Sequence, residues 1–193
     1  MATTTKKKTT TSKAASLDLP KNPFVFEVLD LASKQRSKAK KIEVLKRYGE
    51  ISLKTVLLWN FDESIISMLP EGEVPYSGFE DQAKSNGGLT TKISEEVRRM
   101  HETGSFSVGS SDRNGNTTIR REFKHFYNFV RGGNPGLSTI RRETMFINIL
   151  EGLHPLEAEI LCLVKDKKLT DKYKITREIV SESFPDIKWR DGN

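Results

Sequence analysis

Three histidines, one cysteine and scattered carboxylates are the side chains from which this chain of 193 residues could build a catalytic or metal site. His101, His125 and His154 fall in three separate segments, without the spacing that brings two ligands onto one metal ion. His125 lies one helical turn from Phe129 and beside Phe126, which fits an ordinary helix-surface residue. His154 precedes Pro155, where it fits a cap or a turn. Cys162 sits in the apolar string Ile160-Leu161-Cys162-Leu163-Val164 and reads as a small buried hydrophobe in a reducing compartment. Glu95-Glu96 is a pair that any exposed first helical turn carries. No Walker-type glycine loop and no serine elbow occurs. The expectation is a non-enzymatic chain with no cofactor and no metal.

Cationic helix starts offer a different chemistry. A helix N-terminus presents free N–H groups and a partial positive charge, both of which suit phosphate. Three such starts lie beside basic residues. Ser37 is followed by Lys38, Lys40 and Lys41. The turn Gly132-Gly133-Asn134-Pro135-Gly136, which lets backbone approach a ligand closely, leads into Ser138, Arg141 and Arg142. Thr176 is preceded by Lys172 and Lys174 and followed by Arg177. Taken together they favour a nucleic-acid backbone as the ligand, with Gly132, Gly133 and Ser138 shaping an amide site and the eight cations meeting phosphates.

The elements that must position these residues are helices. A first helix is expected to start at Asn22-Pro23 with Phe26 and Leu29 inward. Ser37 caps a second, with Ile42, Leu45 and Tyr48 as its stripe and Gly49 as its stop. A third covers about 51–60, with Trp59 on its flank, and Asp62 caps a further turn reaching Met68. Residues 70–92 and 104–117 read as long loops around a modest helix at 93–103. A helix over 119–131 carries Phe123, Phe126, Tyr127 and Val130. Ser138 then caps one with Ile140, Phe146, Ile147 and Leu150, Pro155 opens one over 155–167, and Thr176 caps the last. No strand pattern competes, so the fold class is all-α: one helical domain over 22–187 between a disordered basic tail (1–21) and a short C-terminal tail (188–193).

Charge agrees with this layout. Of the net +6, residues 1–22 hold +4, so the body is nearly balanced except in clusters. Residues 33–48 carry a local +6 and residues 165–177 a local +4. Such clusters suit a polyanion. No apolar run approaches the ~18 residues of a membrane span, and no secretory signal is expected.

The order of these elements resembles a known family. Val28-Leu29-Asp30-Leu31-Ala32-Ser33, Ser37-Lys38-Ala39-Lys40-Lys41, Val44-Leu45 and Leu53-Lys54-Thr55-Val56 resemble the opening of the N-terminal DNA-binding domain of phage ATP-dependent DNA ligases. Ile160 through Lys167, then Ile175 through Ile187 with Ser183-Phe184-Pro185-Asp186-Ile187, are similar to its end. Leu69-Pro70-Glu71-Gly72, Arg131-Gly132-Gly133-Asn134-Pro135 and Leu150-Glu151-Gly152-Leu153-His154-Pro155 also resemble an uncharacterised family of small proteins in tailed phages of marine bacteria. The ligase resemblance implies an all-α bundle that grips duplex DNA through the minor groove and phosphates without reading sequence. It implies a phage accessory protein in the host cytoplasm or on the virion. Lys84-Ser85-Asn86-Gly87 fits the Lys-x-Asp/Asn-Gly pattern of covalent nucleotidyltransferases, but the helical chain after it leaves no room for their β-rich catalytic domain, so ligation is not expected. The rival expectations are an adaptor for a phage or host replication or transcription protein, anchored by Trp59, Tyr127 or Trp189, and a structural virion component. No membrane partner is expected.

Overall fold

Apolar residues at helical spacing decide the architecture, and the centre of it is a helix buried over most of its length. The computed structural model describes residues 18–76, 87–104 and 115–190. Their α-helices are α1 (Val25–Lys34), α2 (Lys38–Arg47), α3 (Ile51–Phe61), α4 (Leu89–Thr103), α5 (Ile119–Glu122), α6 (Thr139–Gly152), α7 (Pro155–Lys165), α8 (Leu169–Lys172) and α9 (Arg177–Ser183). A 3-10 helix occupies Phe123–Phe129. The fold is all-α; among the described residues only two isolated bridges, Ser67 with Val130 and Thr117 with Leu153, depart from helix and loop. Eight of the eleven residues of α7 are buried, so it can serve as the axis on which α1, α3, α4, α6 and α8 pack. Helices α2 and α9 lie against each other, with α2 also against α1, as an outer layer.

Several element boundaries differ from the expectation, each for a local reason. The first helix starts at Val25, not at Asn22-Pro23. Glu27 takes the Phe24 N–H at 2.9 Å and Glu157 takes the Val25 N–H at 3.3 Å, so carboxylates from within the fold cap it. Asp62 caps a short turn at Glu63-Ser64, which does not reach Met68. It accepts the Ser64 N–H at 2.9 Å and the Arg190 N–H at 3.1 Å, and the chain runs on extended to pair Ser67 with Val130. Helix α4 begins at Leu89, whose N–H reaches the Val74 carbonyl at 2.7 Å. Helix α7 stops at Lys165, because Lys167 adopts a left-handed φ of 61° and the Lys168 N–H closes on the Leu163 carbonyl at 2.8 Å. The short helix α8 has no counterpart in the sequence reading. Trp189 is half-buried and Arg190 is tied to Asp62, so the body extends past 187.

The expected helix over 119–131 tightens after one turn. Phe123, Phe126 and Phe129 recur every third residue, the repeat that lines up side chains in a 3-10 helix rather than an α-helix. Phe126 and Phe129 pack on Trp59 at 5.4 and 6.2 Å between ring centroids, and Phe129 meets Phe146 edge-on at 5.3 Å. Trp59 is therefore at the centre of the core instead of on the flank of α3. Tyr127, on another face of the same 3-10 helix, turns outward. Ile140 is also exposed, since the first turn of α6 overhangs the core that Phe146, Ile147 and Leu150 enter.

The tail expected to be disordered over 1–21 is described from Asp18 onward, where the Leu19 N–H donates to Tyr48 Oη at 2.8 Å and Asp18 pairs with Arg47. Residues 1–17, the remainder of the two long loops at 77–86 and 105–114, the lysine of Lys84-Ser85-Asn86-Gly87 and residues 191–193 lie outside the described residues. No helix among the described residues is long and apolar enough to cross a membrane.

Candidate nucleic-acid interface

Each of the three expected helix starts is capped as its sequence indicates. Ser37 Oγ accepts the Lys40 N–H at 3.3 Å, Ser138 Oγ the Arg141 N–H at 3.4 Å, and Thr176 Oγ1 the Ile179 N–H at 3.4 Å. The cations around them have very different surroundings.

The Ser37 and Thr176 starts meet in one corner. Lys41 Nζ donates to the Lys174 carbonyl at 2.5 Å, and the Lys174 N–H donates to Ser33 Oγ at 2.9 Å. Lys38 Nζ bridges Glu178 at 2.5 Å and Glu182 at 2.6 Å. Its hydrogen bond to Glu178, then that to Glu182, raises the Lys38 pKa above its ordinary value. Lys172 is paired with Glu159. Arg177 lies over the Trp189 ring at 4.9 Å. Lys38, Lys41 and Lys172, expected to meet phosphates, are thus engaged inside the molecule, and acids brought from α7 and α9 neutralise two of them. Of the six cations expected to meet phosphates at these two starts, only Lys40 and Lys174 keep exposed side chains without an ion pair among the described residues; Arg36 and Lys46 of the same basic run do so as well.

The third start is built differently and is tied to another part of α7. The Lys172–Glu159 pair sits on its first half, whereas Glu143, Phe146 and Ile147 of α6 line a small recess with Leu69, Pro70, Val74 and Lys165 at its last turn. Arg142 corrects the sequence reading most sharply. It is 5% exposed and cannot reach a phosphate in solvent. Its Nε donates to the Asn128 carbonyl at 2.8 Å, and its Nη2 to the carbonyls of Leu137 at 3.0 Å and Asn134 at 3.4 Å. One guanidinium fork therefore fastens the end of the 3-10 helix to the glycine turn and to the start of α6. Asn134 Nδ2 adds a bond to Asn128 Oδ1 at 2.8 Å.

The glycines obey the same geometry. Gly132 has φ 81°, which favours glycine, and a Cβ on Gly133 would fall 1.8 Å from the Tyr127 carbonyl oxygen. Gly133 is thus required because the turn lies directly on the Tyr127 backbone. The bridge at Ser67–Val130 adds a further strip, with the Met68 N–H on the Phe129 carbonyl at 2.7 Å and the Arg131 N–H on the Ile66 carbonyl at 2.8 Å.

From Phe123 to Arg142 the sequence contains no acid. Lys124, Arg131 and Arg141 are exposed there and make no ion pair among the described residues. Among the described residues, four of the five exposed large hydrophobic residues lie on this segment or on the strip bridged to it: Ile66 (40%), Met68 (39%), Tyr127 (52%) and Ile140 (78%). Lys124, Arg131, Ile66 and Met68 were missed as site residues by the sequence reading. The signal available for the first two was the twenty-residue gap in acids, which local counts of positive charge pass over.

The most perturbed titratable groups serve the fold. Glu157 accepts the Val25 N–H and, at 2.9 Å, the Ile119 N–H, so one buried carboxylate closes the starts of α1 and α5. Burial pushes its pKa up to about 7 against the pull of those two bonds. His154 Nδ1 accepts the Leu156 N–H at 3.1 Å as the cap of α7, stacks on Phe26 at 4.9 Å, and burial lowers its pKa to about 4. Cys162 is buried and its thiol is pushed up to about 12, so it stays protonated and unreactive. Among the described residues no group of three His, Cys, Asp or Glu side chains is placed to hold a metal ion.

No curated protein and no solved structure matches the chain. A family profile does, over residues 28–113 and 109–171, a span that includes the whole Lys124–Arg142 corner and stops short of Lys172, Lys174 and Arg177. With most of its length matched in this way, the chain belongs to the family described as Family of unknown function (DUF6433).

Proposed function

We propose that this protein binds DNA without reading its sequence, through the corner between Lys124 and Arg142, and performs no chemistry of its own. The observation that carries the reading is the acid-free stretch from Phe123 to Arg142, with exposed Lys124, Arg131 and Arg141 around a backbone-open glycine turn. In this reading Gly132, Gly133 and Ser138 shape the backbone amide site. Arg141 keeps its role as a phosphate contact, and Arg131 and Lys124 join it. Arg142 holds this corner together from beneath. The resemblance of residues 24–61, 160–167 and 175–187 to the DNA-binding domain of phage ligases supports DNA as the ligand, though not this corner as its place, and implies an accessory role in phage DNA metabolism in the host cytoplasm.

The test is fluorescence anisotropy of the full-length chain with labelled DNA of mixed sequence. Neutralising three phosphates gives a slope of about −3 in log affinity against log salt on duplex, or about −2 on single strands. Sequence should not matter. Absence of binding to any DNA at 50 mM salt would end the proposal.

A second reading has its own support. Exposed Tyr127, Ile66 and Met68 beside two arginines have the composition of a protein interface, so the adaptor for a phage or host replication or transcription protein stays in view. Of its three expected anchors, Trp59 is buried and Trp189 is half-buried against Arg177, which leaves Tyr127.

A further inference from the structure

A grip on the phosphates of an undistorted duplex leaves the apolar side chains of the Lys124–Arg142 corner unused. A double helix offers sugar, phosphate and groove edges, and its base faces are stacked away inside. Yet Tyr127 and Ile140 stand exposed on the segment that carries the unpaired cations, and Ile66 and Met68 on the strip that the Ser67–Val130 bridge joins to it. Tyr127 is presented on a fixed backbone: its neighbours Phe126 and Asn128 are buried, and its carbonyl is pressed against Gly133. A ring held in this way loses little freedom when a flat partner lands on it.

The 3-10 geometry places the cations relative to that ring. With three residues per turn and about 2 Å of rise per residue, Phe123, Phe126 and Phe129 share the core face. Lys124 and Tyr127 share the next face, about 6 Å apart along the axis. Beyond Tyr127 the chain leads to Arg131 and, across the glycine turn that Arg142 fastens, to Arg141. An aromatic platform is therefore flanked by positive charge on both sides along the chain, with Ile66 and Met68 joined to it by the Ser67–Val130 bridge.

We propose that the ligand of this corner is single-stranded DNA, with a base stacked on Tyr127 and resting against Ile66 and Met68, and its phosphates on Lys124, Arg131 and Arg141. This rests on the DNA-binding reading and names the form of DNA that the site takes. Stacking on an aromatic ring tolerates every base, because each has a π-face, so the proposal preserves indifference to sequence. An acidic protein segment would also complement the charge. The single strand is favoured because the cations flank one aromatic ring, matching a chain that alternates phosphate and base.

Anisotropy titrations of the full-length chain with a labelled mixed-sequence 20-mer, single-stranded and as duplex, test it at 50 and 200 mM salt. The single strand should bind about tenfold tighter than the duplex, and fourfold more salt should weaken it about 20-fold, as three neutralised phosphates require. Tyr127→Ala should weaken the single strand about tenfold and the duplex less than about twofold, while Tyr127→Phe, which keeps the ring, should match the native chain. Tyr127 is at the surface, and circular dichroism confirms that the variants remain folded. Equal binding of both forms, or no effect of Tyr127→Ala, overturns this inference and leaves DNA binding standing. No binding of either form removes both. A peptide of alternating glutamate and leucine that binds tighter than the single strand, and depends on Tyr127, overturns it in favour of a protein partner.

Discussion

Two corners of this molecule start from the same ingredients and end with different surfaces. At the Ser37–Thr176 corner a run of lysines follows a capped helix start, and the fold delivers Glu178, Glu182 and Glu159 to meet them. At the Ser138 corner fewer cations are present in sequence, but among the described residues no acid pairs with Lys124, Arg131 or Arg141, and the buried Arg142 is held by neutral carbonyls. A third kind of start, at α1 and α5, is closed from inside by Glu157 and offers nothing to solvent. Basic character at a surface is thus set by where the acids go. A dense run of lysines predicts a polyanion site only when its three-dimensional neighbours leave it alone.

The largest effect should come from the residue on which the open corner is built. Arg142→Met keeps the length and apolar stem of the side chain but leaves the carbonyls of Asn128, Leu137 and Asn134 without their donor. Urea unfolding should show a loss of about 3 kcal/mol, since bonds to a charged donor are each worth about 1.5–3 kcal/mol and the three share one group. Arg142→Lys, without the planar fork, should recover only part of it. Unchanged stability in both variants would mean that the corner is held by other contacts.

The internally closed starts give an effect of similar size with a characteristic pH dependence. Glu157 has its pKa raised from 4.5 to about 7, so it favours the folded chain fully below pH 4.5, and that contribution is lost as pH rises through 7. His154, lowered from 6.5 to about 4, works in the other direction: its contribution is present above pH 6.5 and is lost as pH falls towards 4. Across pH 4.5–6.5 the two oppose each other and the native curve should be nearly flat. Glu157→Gln should leave only the loss on acidification, and His154→Asn, which keeps a cap, only the loss on raising pH. Each tilt should be about 3 kcal/mol over the window, read from unfolding midpoints at several pH values. A native curve with a steep slope in that window would contradict this.

Much of the fold was legible because helix caps and apolar spacing are local signals. Ser37, Ser138, Thr176 and His154 cap the helices that their positions indicated. The start of α1 was misplaced because its cap comes partly from Glu157, 132 residues away. The 3-10 helix was misread because an i, i+3 aromatic repeat also suits an α-helix until Trp59 and Phe146 select the tighter winding. The site was less legible. Lys38 and Arg142 looked alike as basic residues in the first helical turn, and only the packing of α9 on α2, and of the glycine turn on the 3-10 helix, separates them. Sequence can count charges, but their pairing is a property of contacts between distant segments.

Reversing charge in the two corners probes the comparison directly. Arg131→Glu with Arg141→Glu should weaken DNA binding about 100-fold at 50 mM salt, by removing two phosphate contacts and adding repulsion. Lys40→Glu with Lys174→Glu, the same change of charge on the compensated corner, should cost less than about threefold. Equal losses from the two pairs, measured by anisotropy, would show that net charge alone governs binding and that the corners are not distinct.

The smallest effect is the most discriminating, because it seeks a gain. If Glu178 and Glu182 are what silence the Ser37–Thr176 corner, replacing both by alanine should free Lys38 to join Lys40 and Lys174 as an exposed basic cluster. The bridges lie at the surface, with the Glu178 side chain 71% exposed, so their removal should leave the urea-unfolding midpoint unchanged. Affinity for DNA should rise about threefold at 50 mM salt, and the salt slope should steepen by about one unit as Lys38 takes a phosphate. The gain should persist when Arg131 and Arg141 are already reversed, since it arises in the other corner. If the double alanine variant binds no better, the silence of that corner is a matter of its shape, with Lys38 and Lys41 directed inward towards α9 and Lys174 whether or not the glutamates are there.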